Sequence, residues 1–213
     1  KKGETILISD GEDREYVCTI DELENEQVRA KIEDVNGVAK ELPIKVTLFQ
    51  ALPKGDKMET VIQKMIELGA YEIVPVFTKR CIVKLDNKKA VSKTKRWNSI
   101  AESAAKQSKR GIIPKVSMPV TYKEALKMAE AMDMVLIPYE NAENMAHTRQ
   151  VVSQIKTDMT VGIFIGPEGG FAEEEVEQAI NTGAYDITLG KRILRTETAG
   201  MALMSVLMFE TEE

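Results

Sequence analysis

The sequence predicts an α/β protein in which a small β domain precedes a parallel sheet with helices on both faces. From Lys45 onward, short apolar runs alternate with amphipathic segments of helical period, a pattern typical of parallel strands joined by crossover helices. Glycine-containing loops follow two of the later apolar runs, at strand ends where open α/β sheets bind ligands. The N-terminal residues contain only strand-like runs and polar turns.

The N-terminal domain, which we assign to residues 1–43, contains the strand-like runs TILISD, REYVCTI and QVRAKIEDV. In the third run, Val28, Ala30 and Ile32 alternate with charged residues, which is the period of a half-buried strand. Polar turns such as DGED separate the runs. We therefore expect a small antiparallel sheet or barrel.

The second domain, residues 44–213, opens with the strand KVTLFQAL and the helical segment METVIQKMIELG. Asp56 and Glu59 resemble a capping box at the start of this helix, and Gly69 marks its end. The strand YEIVPVF and a long basic helix follow. Because Trp97 lies on the apolar stripe of that helix, we expect it in the core rather than stacked on a base.

The remaining elements continue the alternation. The segment TYKEALKMAEAM carries a Thr-x-x-Glu cap and precedes the strand MVLIPY, and a weaker helix is predicted within residues 141–156. Next come the strand TVGIFIG, the helix AEEEVEQAINTG and the short strand DITLG. An apolar helix beginning near Thr198 ends the chain.

The net charge of −5 is distributed unevenly along the chain. Residues 54–119 carry a net charge of +9, whereas residues 120–213 carry −9, and the basic side chains are densest between Lys79 and Lys115. Phosphate contacts act within about a Debye length, ~8–10 Å, so the local excess matters more than the total. Composition alone favours neither an RNA-binding surface nor a solvated lysine-rich face.

Other classes of protein find little support in the sequence. No apolar run approaches the roughly 18–20 residues of a membrane span, and the polar start of the chain does not resemble a secretory signal. Cys18 and Cys81 are far apart and fit neither a zinc site nor a redox pair, so we expect both to be reduced and partly buried. The single histidine, His147, lies in a polar segment and is predicted to be a surface residue.

The segment IGPEGGFAEEEVEQA places a glycine-rich loop between a strand and a helix. Gly166, Gly169 and Gly170 allow a close backbone approach, and Pro167 stiffens the turn. The chain has no dinucleotide or P-loop motif, and three glutamates already occupy the positive end of the following helix. These features favour a neutral or cationic ligand over a phosphate, and a tight turn without a ligand is the alternative.

The segment TLGKRILRTETAGMALMSVLM forms a second loop at a strand end. Within it, Arg192, Arg195 and Glu197 alternate with the apolar residues Ile193 and Leu194. Charged groups in such a loop often serve function, although a salt bridge among them is the simpler reading.

Together, IGPEGGFAEEEVEQA and LGKRILRTETAGMAL resemble the paired C-terminal motifs of the RsmE family, the 16S ribosomal RNA (uracil-N3)-methyltransferases of the SPOUT superfamily. The segments KGDKMETVIQKMIELG, VPVFTKRCIV and AESAAKQSKRGIIPKV resemble its central motifs, so the resemblance spans residues 45–210. It implies a SPOUT-type parallel sheet with a C-terminal trefoil knot and a small N-terminal PUA-like RNA-binding β-barrel. Family members usually have further residues before this point, so we expect the barrel to be truncated.

The resemblance also implies a binding site for S-adenosylmethionine and no metal. Three loops would form the pocket, Leu136–Glu140, Ile165–Gly170 and Leu189–Ala199. The residues expected to bind the cofactor are Leu136, Pro138, Ile165, Gly166, Pro167, Glu168, Gly169, Gly170, Leu189, Gly190, Ile193, Leu194, Arg195, Thr198 and Ala199.

Catalytic roles follow from the chemistry of the implied reaction, which removes a proton from uracil N3. We expect Arg195 to stabilise the uracil oxygens and Glu197 to accept the proton or orient the base, with Glu168 as the alternative carboxylate. The residues expected to contact RNA are Lys54, Lys57, Arg80, Gln107 and Arg110.

The implied partner is 16S ribosomal RNA or the small ribosomal subunit, which places the protein in the cytoplasm. A homodimer is also implied, with Met201, Met204 and Met208 as candidates for the interface. Three alternatives are open at this point: a SPOUT enzyme that methylates another RNA position such as a ribose 2′-hydroxyl, a non-catalytic ribosome-associated RNA-binding protein and, with least support, a nicotinamide-dependent enzyme.

Overall fold

The computed structural model describes residues 1–11, 14–36, 40–140, 142 and 144–212. Part of the predicted DGED turn and part of the 141–156 segment lie outside these residues. The chain divides into two compact units: Lys1–Glu41 with Ala105–Ile113, and Leu42–Ala104 with Pro114–Glu213.

The first unit contains a three-stranded antiparallel sheet in the order β1-β2-β3. Its strands are β1 (Thr5–Ser9), β2 (Glu15–Leu23) and β3 (Val28–Asn36), at the places that the sequence predicts. Cys18 and Ile20 on the central strand are buried, whereas Val28 and Ile32 are 57% and 55% exposed. The expectation of a half-buried third strand is therefore wrong for these two side chains, because β3 lies at the edge of the sheet and the burial is confined to the centre.

A buried ion pair joins the 105–113 segment to the end of the N-terminal segment within the first unit. The Arg110 side chain is only 4% exposed and binds the Glu41 carboxylate through its Nε and Nη2 groups. The same carboxylate accepts a hydrogen bond from the backbone N–H of Gly111 at 3.1 Å. Glu41 thus neutralises a buried cation and also satisfies a backbone amide.

The second unit is built on a seven-stranded sheet in which every pairing is parallel, as predicted. Its order is β10-β8-β9-β4-β5-β6, and β7 also pairs with β5. The strands are β4 (Lys45–Ala51), β5 (Glu72–Phe77), β6 (Lys115–Val116), β7 (Val120–Thr121), β8 (Met134–Pro138), β9 (Thr160–Ile165) and β10 (Tyr185–Ile187).

Six helices connect the strands or follow them: α1 (Lys57–Glu67), α2 (Asn87–Gln107), α3 (Tyr122–Ala129), α4 (Met145–Val152), α5 (Glu173–Asn181) and α6 (Thr196–Thr211). Thr121 and Glu124 form the predicted capping box of α3. The capping box predicted for α1 is wrong, because the Asp56 side chain makes no cap hydrogen bond and Glu59 instead accepts one from Arg96 at 2.8 Å. None of the helices within the described ranges is long and apolar enough to cross a membrane.

Successive side chains of a strand point to opposite faces of the sheet, and helices pack on both faces. On one face, Phe49 of β4 stacks on Phe164 of β9 at 4.5 Å between ring centroids, in a cluster that includes Tyr122 of α3. On the other face, Leu48 of β4 lies beside Gly200 of α6.

The burial of Trp97 and Met204 tests two predictions, one about the core and one about a subunit interface. Trp97 is 2% exposed, which confirms that it belongs to the core. Met204 is fully buried within this chain. The prediction that Met204 packs in a subunit interface is therefore wrong, because α6 uses that side of the helix to pack on its own unit.

The Glu41→Gln variant should destabilise the first unit by about 3 kcal/mol, because removing one partner of a buried ion pair leaves the other charge uncompensated. Urea unfolding, monitored through hydrogen exchange of the backbone amides in β1–β3, measures this loss of stability. The control is Glu22→Gln, which breaks the Arg29 pair, whose side chains are 68% and 48% exposed. That change should cost less than about 1 kcal/mol, and equal effects would contradict a structural role for Glu41.

Candidate active site

Three loops converge beyond the carboxyl ends of the neighbouring strands β8, β9 and β10. The backbone N–H of Tyr139, just after β8, donates to the carbonyl of Ile187 at the end of β10 at 2.9 Å. The hydroxyl of Thr196, after β10, donates to the carbonyl of Gly166, after β9, at 2.6 Å. The parallel sheet therefore brings together the three segments that the sequence singles out.

The glycine-rich loop after β9 needs glycine at two positions. Gly170 has a φ of +67°, a backbone angle that residues with a side chain rarely adopt. A Cβ at Gly166 would lie 3.2 Å from the backbone of Gly170 and from the ring of Phe171. The guanidinium of Arg80 donates to the carbonyl of Gly169 at 2.8 Å, so the loop is also held from outside.

The amino end of α5 is already filled by the protein's own carboxylates, as the sequence indicates. Glu175 is 5% exposed and accepts hydrogen bonds from the backbone N–H groups of Ala172 and Lys79 at 2.9 and 2.8 Å. Glu174 binds the ammonium of Lys79, and this hydrogen bond lowers the pKa of its carboxyl group. A ligand phosphate would have to displace these groups from the helix end.

A chain of hydrogen bonds connects β4, α6 and the segment after β9 at the base of the loops. Gln50 is fully buried, and its amide donates to the Thr196 hydroxyl at 2.9 Å and to the Ala51 carbonyl at 3.0 Å. The Thr196 hydroxyl in turn donates a hydrogen bond to the Gly166 carbonyl. The Gln50 Oε1 atom has no hydrogen-bond partner among the described residues.

The motifs in the sequence did not indicate a role for Gln50 or Thr196. A signal for Gln50 was present, since it is the one amide in the apolar strand KVTLFQAL, and a buried polar residue is more informative than a buried apolar one. Thr196 carries no such signal, because a threonine at the start of a helix is ordinary.

The carboxylates of Glu168 and Glu197 share one ammonium group. The Lys57 Nζ lies 3.0 Å from Glu168 Oε1 and 3.6 Å from Glu197 Oε2. The backbone N–H of Lys54 also donates to Glu168 Oε1, at 3.1 Å. Two carboxylates and one ammonium give this cluster a net charge of −1, which favours a cationic ligand nearby.

The pKa values in this cluster follow from its hydrogen bonds. Burial alone raises the pKa of the Glu168 carboxyl, but hydrogen bonds from Lys57 and from backbone N–H groups outweigh it, so the pKa lies below its usual value. The hydrogen bond to Glu168 raises the pKa of the Lys57 ammonium. Glu197 Oε2 is buried and has no hydrogen bond within the described part of the chain, since its contact with Lys57 is too long for one.

Arg195 and Glu197 lie on either side of Thr196 and differ in exposure. Arg195 is exposed, and its backbone carbonyl accepts hydrogen bonds from the N–H groups of Thr198 and Ala199, both at 2.9 Å. Its guanidinium makes no hydrogen bond or ion pair with any residue that the structure describes. Arg195 is therefore available to a ligand.

The predicted pocket residues do not all present side chains to a ligand. Leu136 and Ile165 are 0% and 2% exposed, because they belong to the sheet core, so only their backbone groups are available. Ile193 is 90% exposed. In the described ranges, no three His, Cys, Asp or Glu side chains are grouped so that they could hold a metal ion.

The residues predicted to contact RNA fall into two groups. Lys54 and Gln107 are exposed, and Arg80 is exposed while bound to the Gly169 carbonyl. Arg110 instead neutralises Glu41 in the buried pair described above, and the Lys57 ammonium is held by two carboxylates. The structure therefore gives Arg110 and Lys57 partners within the protein, which the sequence did not indicate.

The Thr196→Val variant should lower the free energy of unfolding by about 2 kcal/mol, because the Gly166 carbonyl loses its donor and the buried Gln50 amide loses an acceptor. Thr211→Val is the matched control on the same helix, where the hydroxyl only donates to the Leu207 carbonyl one turn earlier. Urea unfolding of both variants measures the difference. A loss for Thr196→Val no larger than for Thr211→Val would show that the bridge between the two loops contributes nothing.

Comparisons with known proteins match the chain to RNA methyltransferases. The model of a family described as an RNA methyltransferase domain matches residues 40–208. The chain is 35% identical to ribosomal RNA small subunit methyltransferase E of Bacillus subtilis (strain 168), over 99% of this chain and 84% of that protein. It is 40% identical to the protein of the same name from Mesomycoplasma hyopneumoniae (strain 232), over 76% of this chain and 68% of the relative.

Solved structures give the same result for the fold. The crystal structure of a ribosomal RNA small subunit methyltransferase E from Neisseria gonorrhoeae, bound to S-adenosyl methionine, matches with a TM-score of 0.82 and 34% identity, over 97% of this chain and 83% of that chain. The crystal structure of a hypothetical protein matches with a TM-score of 0.93 and 35% identity, over 100% and 85%. These matches show that the chain belongs to the family of ribosomal RNA small subunit methyltransferases E.

Proposed function

We propose that the protein transfers a methyl group from S-adenosylmethionine to N3 of a uridine in 16S ribosomal RNA of the small ribosomal subunit. The observation that carries this proposal is the joining of the loops after β9 and β10 by Thr196 and Gly166, beside a cluster of net negative charge. The Neisseria gonorrhoeae relative, which has S-adenosyl methionine bound, has a similar fold over 97% of this chain.

The residues of the loops suit this cofactor. Its sulfonium is positive, and Glu168 with Glu197 gives the site an excess negative charge that attracts it. Backbone groups of the 165–170 and 189–199 loops would hold the adenine, because the side chains of Ile165 and its neighbours in the strand are buried in the sheet. The filled end of α5 is consistent with a cofactor that lacks a phosphate.

The path of the chain supports a trefoil knot at this end of the sheet. After β10, at one edge, the chain returns to the middle of the sheet, where α6 packs on α1 and β9. At Gly200 an added Cβ would lie 3.6 Å from the Ile165 side chain and 3.8 Å from that of Leu48. Such a return across the ends of β8 and β9 is what passing the chain through a knot requires.

In this mechanism, bound S-adenosylmethionine supplies an electrophilic methyl group. The N3–H bond of uracil would break, with its proton passing to the Glu197 carboxylate. The electron pair left on the nitrogen would bond the methyl carbon as the carbon–sulfur bond breaks and its electrons stay on sulfur. Glu197 suits this role because its Oε2 atom accepts no hydrogen bond from the described residues. The guanidinium of Arg195 donates to the uracil oxygens, where negative charge develops.

The domain assigned to residues 1–43, which the resemblance implies to be PUA-like, would bind RNA. The exposed side chains of Lys54 and Arg80, which are basic, and of Gln107, which is a neutral amide, would also contact RNA. A homodimer is supported by apolar side chains on α6, since Phe209 and Val206 are 81% and 44% exposed. Since the substrate is ribosomal RNA, we place the protein in the cytoplasm.

Nucleoside mass spectrometry tests the target atom. Small-subunit RNA and assembled small subunits, both lacking the modification, are incubated with the protein and a methyl-labelled cofactor, digested and analysed. We expect the label in 3-methyluridine, because the site offers an acceptor for an imide proton. Label in a ribose-methylated nucleoside would indicate the alternative RNA methyltransferase, and no label with either RNA would contradict the enzymatic function.

The Arg195→Ala variant should reduce kcat by roughly 100-fold or more, since removing one donor that stabilises developing charge costs this much in other enzymes. Cofactor affinity measured by calorimetry should stay within about threefold, because the backbone at this position is unchanged. Arg149→Ala, an exposed arginine on α4, is the matched control and should keep normal turnover. Near-normal kcat for Arg195→Ala would remove this residue from the mechanism.

A further inference from the structure

Lys57 lies where a lysine is unfavourable. It is the first residue of α1, and the helix dipole disfavours a positive charge at the amino end of a helix. The protein offsets this with two carboxylates that come from distant segments, Glu168 after β9 and Glu197 on α6. A residue that opposes a local preference and is compensated at a ligand site indicates function.

The two carboxylates differ in the hydrogen bonds that they already accept. Glu168 Oε1 accepts hydrogen bonds from the Lys57 ammonium and from the Lys54 backbone N–H. Glu197 has only the longer, 3.6 Å contact with Lys57, and its Oε2 atom accepts no hydrogen bond from the described residues. Glu168 is thus an anchor for the ammonium, whereas Glu197 keeps its capacity to accept a proton.

Few other charges face Glu197 from the elements packed against α6. On α1, Glu59 pairs with Arg96 and Lys64 pairs with Glu67, so Lys57 is the helix's charged group directed to the site. The strand β9, TVGIFI, has no titratable side chain. Among the residues that the structure describes, the charged group at ion-pair distance from Glu197 is therefore the Lys57 ammonium.

We propose that Lys57 is a positioning residue for methyl transfer, which is itself held by Glu168 and fixes the orientation of the Glu197 carboxylate, and that it does not bind RNA phosphate. This inference rests on the proposed function. A nearby ammonium favours the charged form of a carboxyl group, whereas two close carboxylates without it would hinder each other's ionisation. Lys57 thus keeps the Glu197 carboxylate in place beside Glu168, where it can accept the N3 proton.

Two variants with opposite expected effects test this inference. The measured quantity is the acid limb of the pH profile of kcat, at saturating cofactor and RNA. Lys57→Met should move the limb up by about one pH unit or more, because the attractive charge is lost. Glu168→Gln should move it down, because Lys57 then attracts Glu197 alone and the competing carboxylate is gone. A structural role alone would move both variants in the same direction or neither.

Two further variants serve as controls. Lys57→Arg keeps the positive charge and should leave the acid limb near its normal pH. Lys64→Met removes a lysine from the same helix that pairs with Glu67, and should leave the profile unchanged. If Lys57→Met does not fold, the downward shift of Glu168→Gln and the unchanged limb of Lys57→Arg still decide the question.

The salt dependence of RNA binding tests whether Lys57 contacts an RNA phosphate. Binding of the RNA substrate is measured for the unaltered protein and for Lys57→Met, Glu168→Gln and Lys57→Arg at several salt concentrations. We expect the same salt slope for all, whereas a lysine that contacts phosphate would lower the slope by about one when it is removed.

The outcomes separate this inference from the proposed function. An unchanged pH profile for Lys57→Met and Glu168→Gln, or a slope reduced by about one for Lys57→Met, would overturn the positioning role while methyl transfer by the unaltered protein stands. If the unaltered protein transfers no methyl group to either RNA, the proposed function falls and this inference with it.

Discussion

The site depends on the hydroxyl group of one threonine, which joins parts of the chain that are far apart in sequence. Thr196 accepts a hydrogen bond from Gln50 at the end of β4 and donates one to Gly166 at the end of β9. Because it is the first residue of α6, this anchoring also fixes the residues on either side of it. Arg195 is left exposed, while Glu197 turns toward Lys57. One hydroxyl bridge thus sets the relative positions of the exposed Arg195 and the Glu197 carboxylate.

Charge is separated within this chain in a way that fits two different ligands. In the cluster beside the loops after β9 and β10, the carboxylates of Glu168 and Glu197 outnumber the single ammonium of Lys57 between them. The excess of lysine and arginine lies instead between Lys79 and Lys115. A cationic cofactor and an anionic RNA are attracted by opposite charges, so a protein that holds both gains by keeping these charges apart. The net charge of the whole chain, −5, conceals this arrangement.

The sequence predicts the elements well and their side-chain partners poorly. The strands, the helices and the parallel sheet follow from periodicity, which depends on neighbours a few residues apart. The pairs that changed our interpretation join residues distant in sequence, 69 positions apart for Arg110 and Glu41 and 111 for Lys57 and Glu168. The failed capping box of α1 has the same cause, because Arg96, 37 positions away, takes the Glu59 carboxylate. Local patterns contain no information about such competitors, and the resemblance of motifs places residues at a site without saying what holds them.

Two acceptors at the base of the site follow from the same geometry. Gln50 commits its amide N–H groups to Thr196 and Ala51, which leaves Oε1 buried without a donor among the described residues, and Glu197 Oε2 is in a similar position. Each such atom costs free energy, on the order of 1–3 kcal/mol for a buried group that loses its partner. A fold selected for stability alone would replace them, whereas a binding site keeps acceptors for the donors that its ligands bring. Both atoms belong to residues beside or within the loops joined by Thr196, so the two unpaired acceptors lie at the same end of the sheet as the proposed cofactor site.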